Sequence, residues 1–417
     1  MFGDNATGTI DAADNNTGVG VDVFAALTSG DNNTAVGFSA MTANTTGGQN
    51  TAVGRLALDA NTTGDGNVAI GNAALTANTT ASENVAVGDG AMRANTTGTD
   101  NVAIGTDALD ANTTGNENTA IGDNALGANT TANNNTAIGS RALILNTTGA
   151  ENTSLGQATL VTNTTGSSNT AVGHGALNAN TTASNNTGVG FYALLSNTTG
   201  TDNVAVGRNA LDANTTADNN TAVGADALTA ANGSTGSTAV GAFAADAVTT
   251  GNYNTGVGYQ AIGAITTGAS NTAIGAFALD AATTAGNNTA VGYGTLTDNS
   301  SGSENVAVGG GALGANTTAA SNTAVGYATL NVNTTGANNL AVGAYALDAN
   351  TTGGGNTALG KSALSANTTA INNTAVGQNS LTVSTTGADN TAVGQNSLVA
   401  NTTASNNTAV GSSALAA

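Results

Sequence analysis

Among side chains suited to chemistry near neutral pH, the chain holds one histidine, His174, and no cysteine. General acid–base work needs a convergent set of titratable groups, and His174 has no motif partner in the sequence. It occupies a variable position and reads as a solvated surface residue. Without cysteine there is no disulfide, no thiolate metal site and no thiol nucleophile. Threonine and serine abound, but no base stands near them in a recognisable pattern. Acids recur in two series, Asp59, Asp110, Asp212, Asp280, Asp348 and Glu83, Asp100, Glu117, Glu151, Asp202. Neither builds the GGxGxD nonapeptide of a calcium-binding repeat. The glycine motifs are not phosphate loops, since neither a helix start nor Lys-Ser/Thr follows them. The sequence predicts no enzyme, no metal site and no cofactor.

Charge narrows the partners. There are 25 acidic residues against five basic ones, Arg55, Arg93, Arg141, Arg208 and Lys361, for a net charge of −20. No basic patch can be assembled from so few, so nucleic acid is not an expected partner. The acidity suits solubility and resistance to unwanted association. The N-terminal MFGDNATGTI carries neither a basic nor an apolar signal region, and no run reaches membrane-spanning length. An extracellular or surface location then requires a signal outside this sequence or another export route.

Both acidic series share one spacing because the whole chain does. The glycines of the Thr-Ala-Val-Gly motifs, Gly20, Gly37, Gly54, Gly71 and onward to Gly411, fall every seventeen residues without an insertion. Gly3 fits as a degraded first copy within 1–15, so the repeat predicts one continuous domain over 1–417. Numbering each coil from its glycine as zero, −1 is always Val, Ile or Leu; +4 is mostly Leu; −4 is Asn except at Ser237. Position +7 is usually Asn, followed by Thr-Thr, while +1, +2, +5 and the pair before −4 vary and read as solvent positions.

Seventeen residues are too few for a helix-pair repeat, and Asn-Thr-Thr-Gly is a poor helix interior. Two strand-like runs remain, Thr-Ala-Val before the glycine and Ala-Leu-x-Ala after it, punctuated by Gly and Asn turns. One repeat then makes one coil, and coils stack about 4.8 Å apart in parallel register. The predicted fold is all-β, a parallel β-solenoid (β-roll) of about 24 coils. Val53, Leu58, Ile70, Leu75, Val393 and Leu398 are the expected core. Gly54 and Gly71 supply corners with positive φ, and Asn50, Asn61, Asn67 and Asn78 form turns and stacked amide ladders. Triplets such as Asn61-Thr62-Thr63 match N-glycosylation acceptors, yet the ladder accounts for them without modification. With Val at −1 on one side of the strand and Ala at −2 on the other, the Ala side is expected to pack closely on another chain, giving a homo-oligomer. Packing against a second sheet of the same chain is the alternative.

The motif Asn-Thr-Ala-Val-Gly with its Ala-rich second run resembles the head repeats of trimeric autotransporter adhesins. It is also similar to the NTAIG-x-x-AL-x-x-NTTG repeats of phage tail-fibre and related bacterial surface proteins. The resemblance covers essentially the whole chain. It implies a left-handed, usually trimeric β-roll displayed at a surface for attachment. The coil is longer than in adhesin heads, and neck, stalk, anchor and chaperone motifs are missing from the sequence.

Two departures from the refrain stand out. Aromatics gather at +1 and +2: Phe191, Tyr192, Phe243, Tyr259, Phe277, Tyr293, Tyr327 and Tyr345. On stacked coils they form a stripe for a glycan, a cell-surface ligand or a neighbouring fibre, or are scattered strand-compatible residues. At +7, Asn gives way to Ala231, Val248, Ile265 and Ala282, which read as a lateral contact or a drifted core corner. The Thr-Thr pairs suggest an ice-binding face, but adjacent threonines on a strand point to opposite sides. Neither terminus of the sequence shows a polar cap, which fits a fragment or end-to-end stacking of subunits. The leading expectation is a structural protein, the protomer of an extracellular or surface filament. The alternative is the adhesive or receptor-binding shaft of an adhesin or tail fibre.

Overall fold

A computed structural model describes residues 13–416; most of the degraded first coil lies outside the described residues. The chain is an all-β parallel solenoid with one three-residue strand in each seventeen-residue turn and no helix among the described residues. It divides into two compact units, Met1–Ala205 and Val206–Ala417. In the first, strands from β1 (Thr17–Val19) to β11 (Thr187–Val189) run parallel. In the second, β13 (Thr221–Val223) to β24 (Thr408–Val410) do the same. Register is strict: Thr51, Ala52 and Val53 stand opposite Val68, Ala69 and Ile70. The register has a side-chain cause as well as the repeat length, since each coil is pinned to its neighbours by identical groups.

Glycine at zero is a requirement of stacking. Gly54 has φ +143°, and a Cβ there would lie 2.2 Å from the Gly71 carbonyl oxygen of the next coil. The chain then turns away from the strand into a run that sequence pattern assigns to a second strand. The structure makes it a turn, Arg55–Ala60, in which Leu56 and Leu58 take left-handed φ of 56° and 52°. Such conformations cost about 1–2 kcal/mol per non-glycine residue. They are held because the N–H of each left-handed leucine still finds a neighbouring coil: Leu56 N–H donates to Phe38 O (2.9 Å) and Leu58 N–H to Ala74 O (3.0 Å). The turn thus extends the inter-coil ladder beyond the three-residue strand.

The core is thinner than predicted, and its strand face is reversed. Leu58, Leu75 and Leu398 are buried, as expected. Val53 and Ile70 are 37% and 40% exposed, and Val393 is half-buried; Ala52, Ala69 and Ala392 point inward instead. The reason is space. A Cβ at Gly188, which holds the −2 place of its coil, would sit 3.3 Å from Leu177 Cγ and 3.2 Å from Ala193 O. A methyl fits this gap but a branched side chain does not. Where the first described coil enlarges +4 to Phe24, −2 shrinks to Gly18, whose Cβ would meet Phe24 Cδ2 at 3.1 Å. The Ala side of the strand therefore faces the interior of its own coil, and the aliphatic −1 side faces outward.

Both asparagines are buried and form one brace. Asn50 Nδ2 donates to Gly64 O at 2.8 Å, and Asn61 Nδ2 to the same carbonyl at 3.0 Å. Asn67 N–H donates to Asn50 Oδ1 (2.8 Å), while Asn61 and Asn78 Nδ2 donate to Asn44 Oδ1 (2.8 Å) and Asn61 Oδ1 (3.0 Å). Each amide therefore closes its own coil and ties it to the next. A glycosylated Asn61 is incompatible with this arrangement, since its nitrogen is buried and doubly bonded. Thr62 Oγ1 is likewise engaged, donating to Thr79 O at 3.0 Å.

Candidate functional site

Two outward features are built on this scaffold. The first is the strand face. Alternation over three residues sends −3 and −1 outward and −2 inward. In the first unit Val19, Val53, Ile70, Ile104 and Ile138 stand exposed; in the second Val223, Val240, Ile274, Val342 and Val410 do. Among the described residues none of the 24 strands carries a charged residue, so each unit presents a threonine–aliphatic ladder to solvent. The sequence pattern concealed this face by suggesting that the valines fill the core.

The second is the aromatic row at +1 and +2. Phe191 and Tyr192 lie together with ring centroids 3.9 Å apart, and His174 stacks on Phe191 at 5.5 Å and 15°. His174 is thus an exposed member of an aromatic cluster, with no carboxylate partner among the described residues. In the second unit Phe243, Tyr259, Phe277 and Tyr293 meet edge to face on successive coils, at 6.0, 5.5 and 6.0 Å. Tyr327 and Tyr345 form a further pair at 5.6 Å. Stacked coils bring +2 of one turn within reach of +1 of the next, which is why alternating positions make a continuous row. Sequence reading missed Phe38 and Tyr253, both exposed.

Val248 and Ile265 do not belong to any surface contact. With Ala231 and Ala282 they are fully buried, occupying the corner that asparagine fills elsewhere. Four successive coils carry the change, so inside the patch apolar groups meet only apolar groups, a replacement that can be nearly neutral.

The acids at +5 are held partly in the wall of the turn. Burial pushes the carboxyls of Asp59, Asp212, Asp280 and Asp348 above their ordinary value, as it does Asp246. Asp110 is raised by burial and by Asp107, against the nearby Arg93 guanidinium, which bonds it at 3.0 Å. Buried oxygens of Asp59 and Asp348 have no hydrogen-bond partner. Among the described residues no group of three or more acidic or histidine side chains is gathered as a metal cluster. No helix among them is long and apolar enough to cross a membrane.

No protein-family model matches the chain, and no curated protein matches it.

Proposed function

We propose that the chain is a structural protein, the protomer of an extracellular or surface filament, and that copies associate through their outward strand faces. The observation that carries this reading is the exposed aliphatic ladder at −1, flanked by threonine and free of charge. Each exposed Val or Ile offers on the order of 50 Å² of apolar surface. With the −3 residues included, one unit presents on the order of 1,000 Å², comparable to the ~800 Å² per partner of a standard stable interface. A second copy of the same face is the fitting occupant, because parallel ladders of identical period interlock along their length. The acidic remainder of the surface leaves this face as the place where copies approach without repulsion. Similarity of the repeat to trimeric surface fibres favours a trimer among the closed arrangements.

Negative-stain microscopy of the purified chain tests the reading. Threads or bundled rods are expected; dispersed single-chain particles at micromolar concentration would overturn it. A second reading, an adhesive shaft, draws on the aromatic rows, which lie outside the strand face.

A further inference from the structure

The aromatic row of the second unit is interrupted once, and the interruption is shaped. The coil at Gly309 carries glycine at +1, +2 and +5 together, Gly310, Gly311 and Gly314. Its neighbours on either side carry Tyr293 and Tyr327 at +1. Erasing one coil's side chains opens a recess of about 870 Å³, walled by the two tyrosines and floored by glycine backbone. Asp298 and Asn331 line it as well. The tyrosines are two coils apart, about 9.5 Å along the stack, which leaves room for one ring between two aromatic faces.

We infer that this recess is a binding site for a neutral oligosaccharide. Tyr293 and Tyr327 are 69% and 61% exposed, far more than their role in the solenoid requires. A pyranose ring presents an apolar C–H face suited to an aromatic ring and an edge of hydroxyls that need partners. The Asp298 carboxylate accepts hydrogen bonds, and the Asn331 amide both donates and accepts. Neither side chain makes a hydrogen bond within the described residues. The volume lies in the range of small-molecule sites, and its pairing of apolar walls with few polar groups is what orients such ligands. A net charge of −20 and the carboxylate on the rim disfavour an anionic ligand. A quaternary ammonium also favours aromatic walls and an acid. Two rings about 9.5 Å apart do not enclose so small a cation, however, and the recess is larger than one would fill.

This proposal gives the adhesive reading a site and a ligand class, and it does not depend on filament assembly. The test is a printed array of neutral oligosaccharides, followed by titration calorimetry with the best-retained sugar and, separately, with choline. Sedimentation of each variant reports assembly independently. Tyr293→Ala and Tyr327→Ala are each expected to weaken sugar binding about tenfold. Gly310→Tyr restores the row and closes the recess while leaving both walls in place, and should abolish binding. A Cβ at Gly310 is accommodated, its nearest atom being Tyr327 Cδ2 at 3.7 Å, so the added ring comes up against the Tyr327 wall. Tyr253→Ala, an exposed tyrosine outside both the recess and the row, should bind as the parent does. The proposal is overturned if the parent retains no neutral sugar, if choline binds in its place, or if binding survives both tyrosine variants. Should Gly310→Tyr fail to fold, the two alanine variants decide the matter.

Discussion

Replacing Ser384 with asparagine should stabilise the coil that contains it, because the structure shows a broken brace there. At +7 the amide of Asn367 donates to Asn350 Oδ1 at 2.8 Å, continuing the ladder from below. Ser384 occupies the next place and is too short to reach back. Asn367 Oδ1 and Ser384 Oγ are both left buried without a partner. An asparagine there donates Nδ2 to Asn367 Oδ1 and to the Gly387 carbonyl, as Asn350 does to Asn333 Oδ1 (2.8 Å) and Gly353 O (2.9 Å). Two net hydrogen bonds contribute about 1 kcal/mol each, and relieving a buried orphan contributes about 1–3 kcal/mol. Ordering the longer side chain costs on the order of 1 kcal/mol. The expected gain is at least about 2 kcal/mol. In a solenoid, stability is a sum over neighbouring repeats, so the change is read locally. Native-state hydrogen exchange resolved to residues 367–401 should slow roughly thirtyfold. Unchanged or faster exchange in that segment, with the fold intact, would refute the assignment of the ladder as a stabilising brace.

Three further outcomes follow from the same geometry. Val248→Asn places one amide between apolar neighbours and should destabilise by about 2 kcal/mol by chemical denaturation. Changing Ala231, Val248, Ile265 and Ala282 to Asn together should recover most of that loss. Gly122→Ala adds a Cβ 2.6 Å from the backbone of Gly139 at φ +135° and should cost at least about 2 kcal/mol, measured as lost exchange protection on both sides of the coil. The pH dependence is the reverse of ordinary acid denaturation. Burial raises Asp59, Asp110, Asp212, Asp246, Asp280 and Asp348 above 3.8, so the folded chain binds protons more readily than the unfolded one. Their contribution to stability is fully present below 3.8 and is lost as pH rises through the raised values. The melting midpoint should climb between pH 7 and about pH 4, and Asn at these six positions should flatten the climb.

The repeat length, the parallel register, the Asn ladders and the Leu core were legible because each is a statement about one position repeated many times. Which face of the strand turns inward was not. Valine outranks alanine in hydrophobicity, and a three-residue strand with apolar groups on both sides offers no polar face to break the tie. The deciding quantity is the gap between −2 and +4, visible only when Gly188 and Leu177 are placed in space. Likewise, the left-handed Leu58 cannot be inferred from propensity, since it is imposed by hydrogen bonds to the coils on either side. The aromatic row was readable from spacing, whereas the recess was not, because its signal is three missing side chains at Gly310, Gly311 and Gly314.

Sedimentation of the parent chain against a triple variant, Ile70→Lys, Ile104→Lys, Ile138→Lys, tests most directly whether the outward strand face joins copies. These residues lie at −1 on alternate coils of the first unit and are exposed, so lysine there leaves the interior untouched. The parent should sediment as an oligomer and the variant as a monomer with unchanged circular dichroism. A monomeric parent, or a variant that associates as strongly as the parent, would contradict the account.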